Sequence, residues 1–376
     1  MAVSGENLSA AAEYGGWLMF VYAIMQFFCA PIVGNISDRF GRRPVLLLSL
    51  FVMGINYVFM GLAETLVLLF AGRIISGIGA STMSTCNAYI ADVTPAEQRA
   101  QNFGLIGAAF GMGFVIGPVV GGVLGEFGPR VPFLAAAALS FANMAFGIFV
   151  LKESLRPEDR RPFEVQRANP LGTMMQLRAF PVVFGIIGVM FLYHLGHQAL
   201  PAIWSYFTIE RFGWSPREIG YSLGFIGVLM VFVQAWLIRV VLPKTGLRLA
   251  AVMGMMFTIA AFAGYTGATA SWMMYVAMVP GALGGLVGPA IQGIATTQIG
   301  PSQQGELQGG LSSTMSLTAI VSPLMMTQTF GYFTSGAAPL YFPGAPFALA
   351  GILTVLALVL FLRVTARLEI PLEESV

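Results

Sequence analysis

The two halves of this chain repeat one another at an offset of about 205 residues, so any fold it adopts must hold two related sub-structures. Gly41-Arg42-Arg43 has an echo in Gly246-Leu247-Arg248. Thr94-Pro95-Ala96-Glu97-Gln98 matches Gly300-Pro301-Ser302-Gln303-Gln304, and Gly104-Leu105 matches Gly310-Leu311, both at 206. The repeated material is a set of apolar runs. Crossing a bilayer takes about 20 mostly apolar residues. Eleven runs qualify: 15–36, 44–62, 66–91, 101–125, 131–151, 181–202, 217–240, 248–268, 271–297, 306–331 and 345–364. The expected fold is an all-α polytopic membrane protein with two pseudo-symmetric halves. The run at 181–202 has its counterpart position before Met1. Six spans per half therefore calls for one helix ahead of the first residue, and the first helix reads as missing.

Composition agrees. Hydrophobic residues make up 57% of the chain and charged ones 10%, whereas a soluble domain carries roughly 25% charged residues. No nucleophile elbow, metal-ligand cluster, phosphate-binding loop or soluble catalytic domain is visible, so neither an enzyme nor an ATP-driven pump is expected. No cofactor and no metal site are implied. The net charge of +2 carries no nucleic-acid signal. Cys29 and Cys86 fall in apolar runs and read as small core residues, not as a disulfide.

The cations are placed unevenly. Arg39, Arg42, Arg43, Arg99, Lys152, Arg156, Arg160, Arg161, Arg167, Arg178, Arg239, Lys244, Arg248, Arg363 and Arg367 gather at one set of span ends. Only Arg130, Arg211 and Arg217 lie at the other. Positive charge stays inside, so the first set and the C-terminus are expected to be cytoplasmic. The longest polar connection, 152–180, divides the chain into a helical half at 1–151 with five spans, a cytoplasmic linker, and a half at 181–376 with six.

The strongest local signal is Gly34-Asn35-Ile36-Ser37-Asp38-Arg39-Phe40-Gly41-Arg42-Arg43-Pro44. Asp38 and Arg42 are four apart and pair if the helix continues. Gly41 permits a turn, and Arg42-Arg43 anchors the next span. The cluster reads either as a basic turn that sets topology or as a lock on the cytoplasmic side. The pattern Gly-x-x-x-Asp-Arg-x-Gly-Arg-Arg between two spans resembles the signature of the major facilitator superfamily. The run Ser37 to Leu47, with Ala88-Tyr89-Ile90-Ala91-Asp92 and Gln304-Gly305-Glu306-Leu307-Gln308-Gly309, is similar to its tetracycline-efflux branch. That resemblance implies twelve-helix architecture and a gating role for Gly34, Asp38, Arg39, Gly41, Arg42 and Arg43.

Gly113, Gly117 and Gly121 recur every four residues and form one smooth face, with Pro118 and Gly122 beside them. Such a face suits close helix packing, and Pro118 bends the helix. The segment reads as ordinary small-residue packing or as a helix that rocks against a neighbour. It resembles the antiporter signature of drug-exporting members, which implies export.

Ionisable residues inside a membrane are functional candidates. Arg73 resembles the superfamily arginine associated with proton transfer, with snorkelling to the outer interface as the alternative. His194 and His197 share one helical face and could carry a proton or only hydrogen-bond within the bundle. Asn56, Asn87, Gln198, Gln234 and Gln292 are candidates for lining a substrate cavity or for bonds between helices. Exporters resembling this chain carry membrane acids in the first span, which is missing here, at the position matching Asn56, and near Thr258. The expected function is a secondary transporter that exports a small amphipathic or drug-like molecule across an inner membrane, in exchange for protons. It would act as a monomer by alternating access. The alternative is a non-transporting sensor of the same fold.

Overall fold

The computed structural model describes residues 7–95, 98–161, 181–299 and 304–366. The linker stretch 162–180 with Arg167 and Arg178, the repeat segment 300–303, and Arg367 lie outside the described residues. Among the described residues every regular element is helical. In the first half they are α1 Leu8–Phe40, α2 Arg42–Leu62, α3 Leu66–Ala80, α4 Met83–Val93, α5 Arg99–Gly125 and α6 Val131–Val150. The second half holds α7 Pro181–His197, α8 Ala199–Phe212, α9 Pro216–Phe232, α10 Ile238–Gly267, α11 Ser271–Leu283, α12 Val287–Thr297, α13 Gln304–Thr334 and α14 Ala345–Thr365.

Local chemistry sets several ends. Asn7 caps α1, its Oδ1 accepting from the Ala10 amide at 3.0 Å. Thr65 caps α3 by accepting from the Leu68 amide at 3.3 Å. Ser215 and Glu218 form a reciprocal capping box at the start of α9, with bonds of 2.7 and 3.3 Å. Two turns are a single glycine wide. Gly41 joins α1 to α2 at φ 104°, and Gly246 breaks α10 at φ 73°; their ψ values are 157° and 162°. These are the two glycines of the sequence echo. Left-handed backbone favours glycine because it has no Cβ to clash.

Nine stretches among the described residues are long and apolar enough to cross a membrane, against the eleven expected. Two causes account for the difference. The Gly246 turn is so short that Pro216–Gly267 runs as one stretch. And α13, 31 residues long, is rich in Gly, Ser and Thr. Several of its hydroxyls bond back within the helix: Thr314 donates to the Gly310 carbonyl at 2.8 Å and Thr329 to that of Met325 at 2.7 Å, while Ser322 donates to the Leu195 carbonyl of α7 at 2.6 Å. At about 1.5 Å per residue, α13 is long enough to cross a bilayer.

Several membrane helices are interrupted. Ser81 and Thr82 separate α3 from α4, their hydroxyls bonding back to Gly77 and Gly79 carbonyls at 2.8 and 2.5 Å, a pattern that loosens a helix. A 3₁₀ turn at Gly284–Leu286 separates α11 from α12. Gly79 and Gly284 lie one repeat offset apart, so both halves break at the same place by different means. Gln198 interrupts α7 and α8, and a π turn occupies Val233–Leu237.

The chain divides into two compact units. One holds the described residues of 17–161 with 215–221; the other holds 7–16, 181–214 and 222–366. In the first unit α2 packs along α6. The second unit has a core in which Val183, Ile186 and Met190 of α7 meet Met255 of α10, Ile291 of α12 and Phe361 of α14. A second cluster there is aromatic: Trp204 lies 5.4 Å from Tyr265 and Phe207 lies 5.0 Å from Phe347, ring centre to ring centre.

Candidate gate and cavities

The Gly34–Pro44 motif folds into a charged clasp within the first unit. Arg42, 11% exposed, ion-pairs with Asp38 on its own turn of chain and reaches Asp92 at the end of α4 at 3.3 Å. It also donates to the Ser37 hydroxyl at 2.6 Å, and Ser37 donates on to the Gly34 carbonyl at 2.7 Å. Arg43 donates to the Ile148 carbonyl in the last turn of α6 at 2.9 Å. Arg39 is exposed and lies over the Phe40 ring, 5.1 Å from its centre, away from this cluster. Gly34 meets its neighbours loosely: a methyl built on it would find Ser84 Oγ at 3.6 Å, an ordinary contact. Asp92 and Glu153 complete the clasp. In the sequence Asp92 stands out only as part of a run similar to the family, and Glu153 carries no signal because its partners lie 110 and 111 residues away.

The glycine helix presents a different face from the one its spacing favours. Methyls built on Gly113, Gly117 and Gly121 would meet no described atom within 4 Å. The close contact falls instead on Gly122. There a methyl would lie 2.5 Å from the Pro216 carbonyl oxygen and 2.9 Å from Gly220 Cα. From the α9 side, a methyl on Gly220 would lie 2.5 Å from the Pro118 carbonyl oxygen. Arg217 pairs with Glu126 at 2.6 Å beside this crossing. Among the described residues, the close packing is made by Gly122, on the adjoining face.

Arg73 sits two turns into α3 and lines a cavity of about 370 Å³ with Leu18, Met60, Glu64, Arg130 and Phe133. His194 and His197 close α7 on either side of Tyr193. The Tyr193 ring stacks on His197 at 5.7 Å and meets His194 edge-on at 5.6 Å. Its hydroxyl donates to the Gly284 carbonyl at 3.1 Å and lies 3.4 Å from Thr258 Oγ1. His194 Nε2 is buried without a hydrogen-bond partner among the described residues. Tyr193 escaped sequence reasoning because an apolar run hides one phenol. The structure joins it to the histidine pair, to Thr258 and to the helix break at Gly284.

The five amide candidates do not share a site. Asn56 is 1% exposed and donates to Ser76 Oγ at 2.6 Å, tying α2 to α3. Asn87 is exposed on α4 and Gln234 is exposed in the π turn. Gln198 occupies the break between α7 and α8. Gln292 donates to Gln308 Oε1 at 3.2 Å, linking α12 to α13. A cavity of about 940 Å³ in the first unit has none of them in its walls. It is apolar, with Leu50, Met53, Cys86, Tyr89, Phe110 and Phe114 among its walls.

Long apolar helices, an internal repeat and interrupted spans define a multi-pass membrane protein of the transporter class. A family model described as Major Facilitator Superfamily matches residues 1–323. The chain belongs to that superfamily. It is 41% identical over 322 residues to the class C tetracycline resistance protein of Escherichia coli, covering 86% of this chain and 81% of that one. To the class B protein of the same organism it is 34% identical over 321 residues, covering 85% and 80%. Among solved structures it resembles the nucleoside transporter NupG, with a TM-score of 0.70 at 14% identity over 95% of this chain and 94% of that one. It also resembles the human organic anion transporter MFSD10, with a TM-score of 0.65 at 23% identity over 92% and 83%. At such identities the structural likenesses speak for the fold.

Proposed function

We propose that this protein is a secondary exporter of a small amphipathic or drug-like molecule, working by alternating access between halves at 1–151 and 181–376 joined by the linker 152–180. The observation that carries this reading is Arg42 held between Asp38 and Asp92 at one end of the first unit. A buried guanidinium shared by two carboxylates is a two-state element: it holds while the three groups are together and releases when one helix end moves. Gly34, Gly41 and Arg43 shape the same turn, and Arg39 faces outward from it. The relatives named as tetracycline resistance proteins support a drug-like substrate.

In this reading protons flow inward as substrate leaves. The exchange is assigned to His194 and His197, with Arg73 tuning it from the first unit. The open Nε2 of His194 is the site that this reading gives to the proton. Gln198, Gln234, Gln292 and Asn87 are the amide candidates for substrate contact in this reading. The protein resides as a monomer in the inner membrane with its C-terminus in the cytoplasm, as the arginine and lysine bias supports.

One observation favours the sensor alternative. The resemblance implies membrane acids at Asn56 and near Thr258, and both residues are bonded into helix packing: Asn56 to Ser76, Thr258 to the Gly254 carbonyl at 2.9 Å. Reconstitution decides between the two. Proteoliposomes given an imposed pH gradient should move tetracycline or ethidium, and His194→Ala with His197→Ala should uncouple that movement from the gradient. Saturable binding of either drug with no flux in the wild type would defeat the exporter reading in favour of the sensor.

A further inference from the structure

The chain leaving α6 turns back onto the gate motif. Glu153 is the first acid after that helix, and its carboxylate reaches the start of α2. Oε1 accepts from the Arg42 amide at 2.8 Å and Oε2 from the Arg43 amide at 3.3 Å. The first amides of a helix have no partner inside it, and Gly41, which precedes them, has no side chain to cap with. Glu153 therefore caps α2 from 111 residues away. Its Oε1 also accepts from the Ser154 and Leu155 amides, both at 3.1 Å, which curls this segment tightly around the carboxylate.

The curl delivers two more contacts to the gate. Ser154 Oγ donates to Asp92 Oδ2 at 3.0 Å, the same oxygen that Arg42 reaches. The Arg161 amide donates to the Asp38 carbonyl at 3.1 Å. The Asp92 carboxylate and the Asp38 backbone are thus held in turn by the segment 153–161. Gly41 is fitted to the arrangement, since a methyl on it would lie 2.8 Å from Glu153 Cδ. In the opposite direction, Arg43 closes on the α6 carbonyl of Ile148. The ends of α2 and α6 cap each other, by a carboxylate at one helix start and a guanidinium at the other's end, as the helix dipoles favour.

We propose that Glu153 is a positioning residue of the gate: by fixing the Arg42 backbone and ordering 153–161, it sets the Arg42 guanidinium between Asp38 and Asp92 and so sets the rate of gate opening and closing. The role rests on the exporter reading for its effect on transport, but the clasp itself does not. The test uses the full-length protein, purified and reconstituted, with Glu153→Ala, Glu153→Gln and Glu153→Asp. Hydrogen exchange needs no transport. In Glu153→Ala the Arg42, Arg43 and Arg161 amides should exchange about tenfold faster, because each has lost its acceptor or the order that supplied it. Turnover of tetracycline or ethidium per folded molecule should fall by about tenfold at unchanged KM, the signature of a lost transition-state contact, and Glu153→Asp should recover most of it. A cap that serves stability alone would reduce the amount of folded protein and leave turnover per molecule intact, which overturns the proposal. Unchanged exchange at Arg42 and Arg43 overturns it as well. A wild type that moves neither drug defeats the exporter reading, while the exchange arm still decides whether Glu153 holds the clasp.

Discussion

Replacing Gly122 with alanine asks whether the glycine helix packs through its ladder or beside it. The added methyl would lie 2.5 Å from the Pro216 carbonyl oxygen and 2.9 Å from Gly220 Cα, where ordinary contact begins near 3.4 Å. Both obstacles are backbone and neither can rotate away. The start of α9 must back off α5 by roughly half an ångström to one ångström, and overpacking of this kind costs about 1–3 kcal/mol. Alanine returns about 0.5–1 kcal/mol over glycine inside a helix. The net effect of Gly122→Ala is destabilisation by up to roughly 2 kcal/mol. Gly117→Ala meets no described atom and keeps only the helical gain, so it should be as stable as the wild type or slightly more so. Thermal unfolding of both variants in one detergent measures the difference, and Gly122→Ala should melt a few degrees below Gly117→Ala. Gly220→Ala should resemble Gly122→Ala. The double variant should cost less than their sum, because a single separation of the helices accommodates both methyls. If Gly122→Ala melts with or above Gly117→Ala, the contact read from the backbone is wrong and the ladder regains its claim.

Three further outcomes follow from geometry already described. Trp204→Phe removes the indole donor to Ser222 Oγ at 2.9 Å and should cost about 1 kcal/mol, whereas Trp204→Ala empties the aromatic cluster and should cost about 3–5 kcal/mol, both read from thermal unfolding. Asn56→Ala breaks the buried bond to Ser76 and should lower stability by about 1–3 kcal/mol while leaving KM for any transported drug unchanged; a large KM change would restore Asn56 to the cavity. Tyr341, in the loop before α14, donates to Glu210 at 2.6 Å. Burial first, and then Glu210, raise its phenol from 10.0 to about 12. A raised folded value means that this contribution to stability is complete below pH 10 and is lost as the pH climbs through 12. Difference absorbance between wild type and Tyr341→Phe should show tyrosinate forming at lower pH once Glu210→Gln is introduced.

What sequence reasoning could reach depended on the range of the interaction. Helix positions follow from runs of apolar residues, which are local. The turn at Gly41 was legible as well, while Gly246 was legible only as its echo at the repeat offset. The Asp38–Arg42 pair follows from a spacing of four on one helix. Orientation between helices was not legible. Gly113, Gly117 and Gly121 define a face, but nothing in their spacing says which face meets a neighbour, and Gly122 on the adjoining face does so. Asn56 could line a cavity or cross to another helix, and only the position of Ser76 decides. Glu153 had no local signature, since its capping partners lie on another helix. The spans 217–240 and 248–268, separate in the sequence, form one stretch by length and composition although the backbone breaks between them at Gly246.

The π turn at Val233–Leu237 has a consequence for how this protein tolerates insertions and deletions. A π turn is an α-helix carrying one residue too many, accommodated without breaking the chain of backbone bonds. Removing one residue from it would leave a regular helix of nearly the same stability. The wide turn takes up its surplus residue locally, so the helix beyond it, as far as the break at Gly246, would keep nearly its present facing. Gln234, inside the turn, is the side chain that would be re-aimed, while Arg239 beyond it would not. A one-residue deletion here is therefore cheap in folding and confined in effect to the residues of the turn.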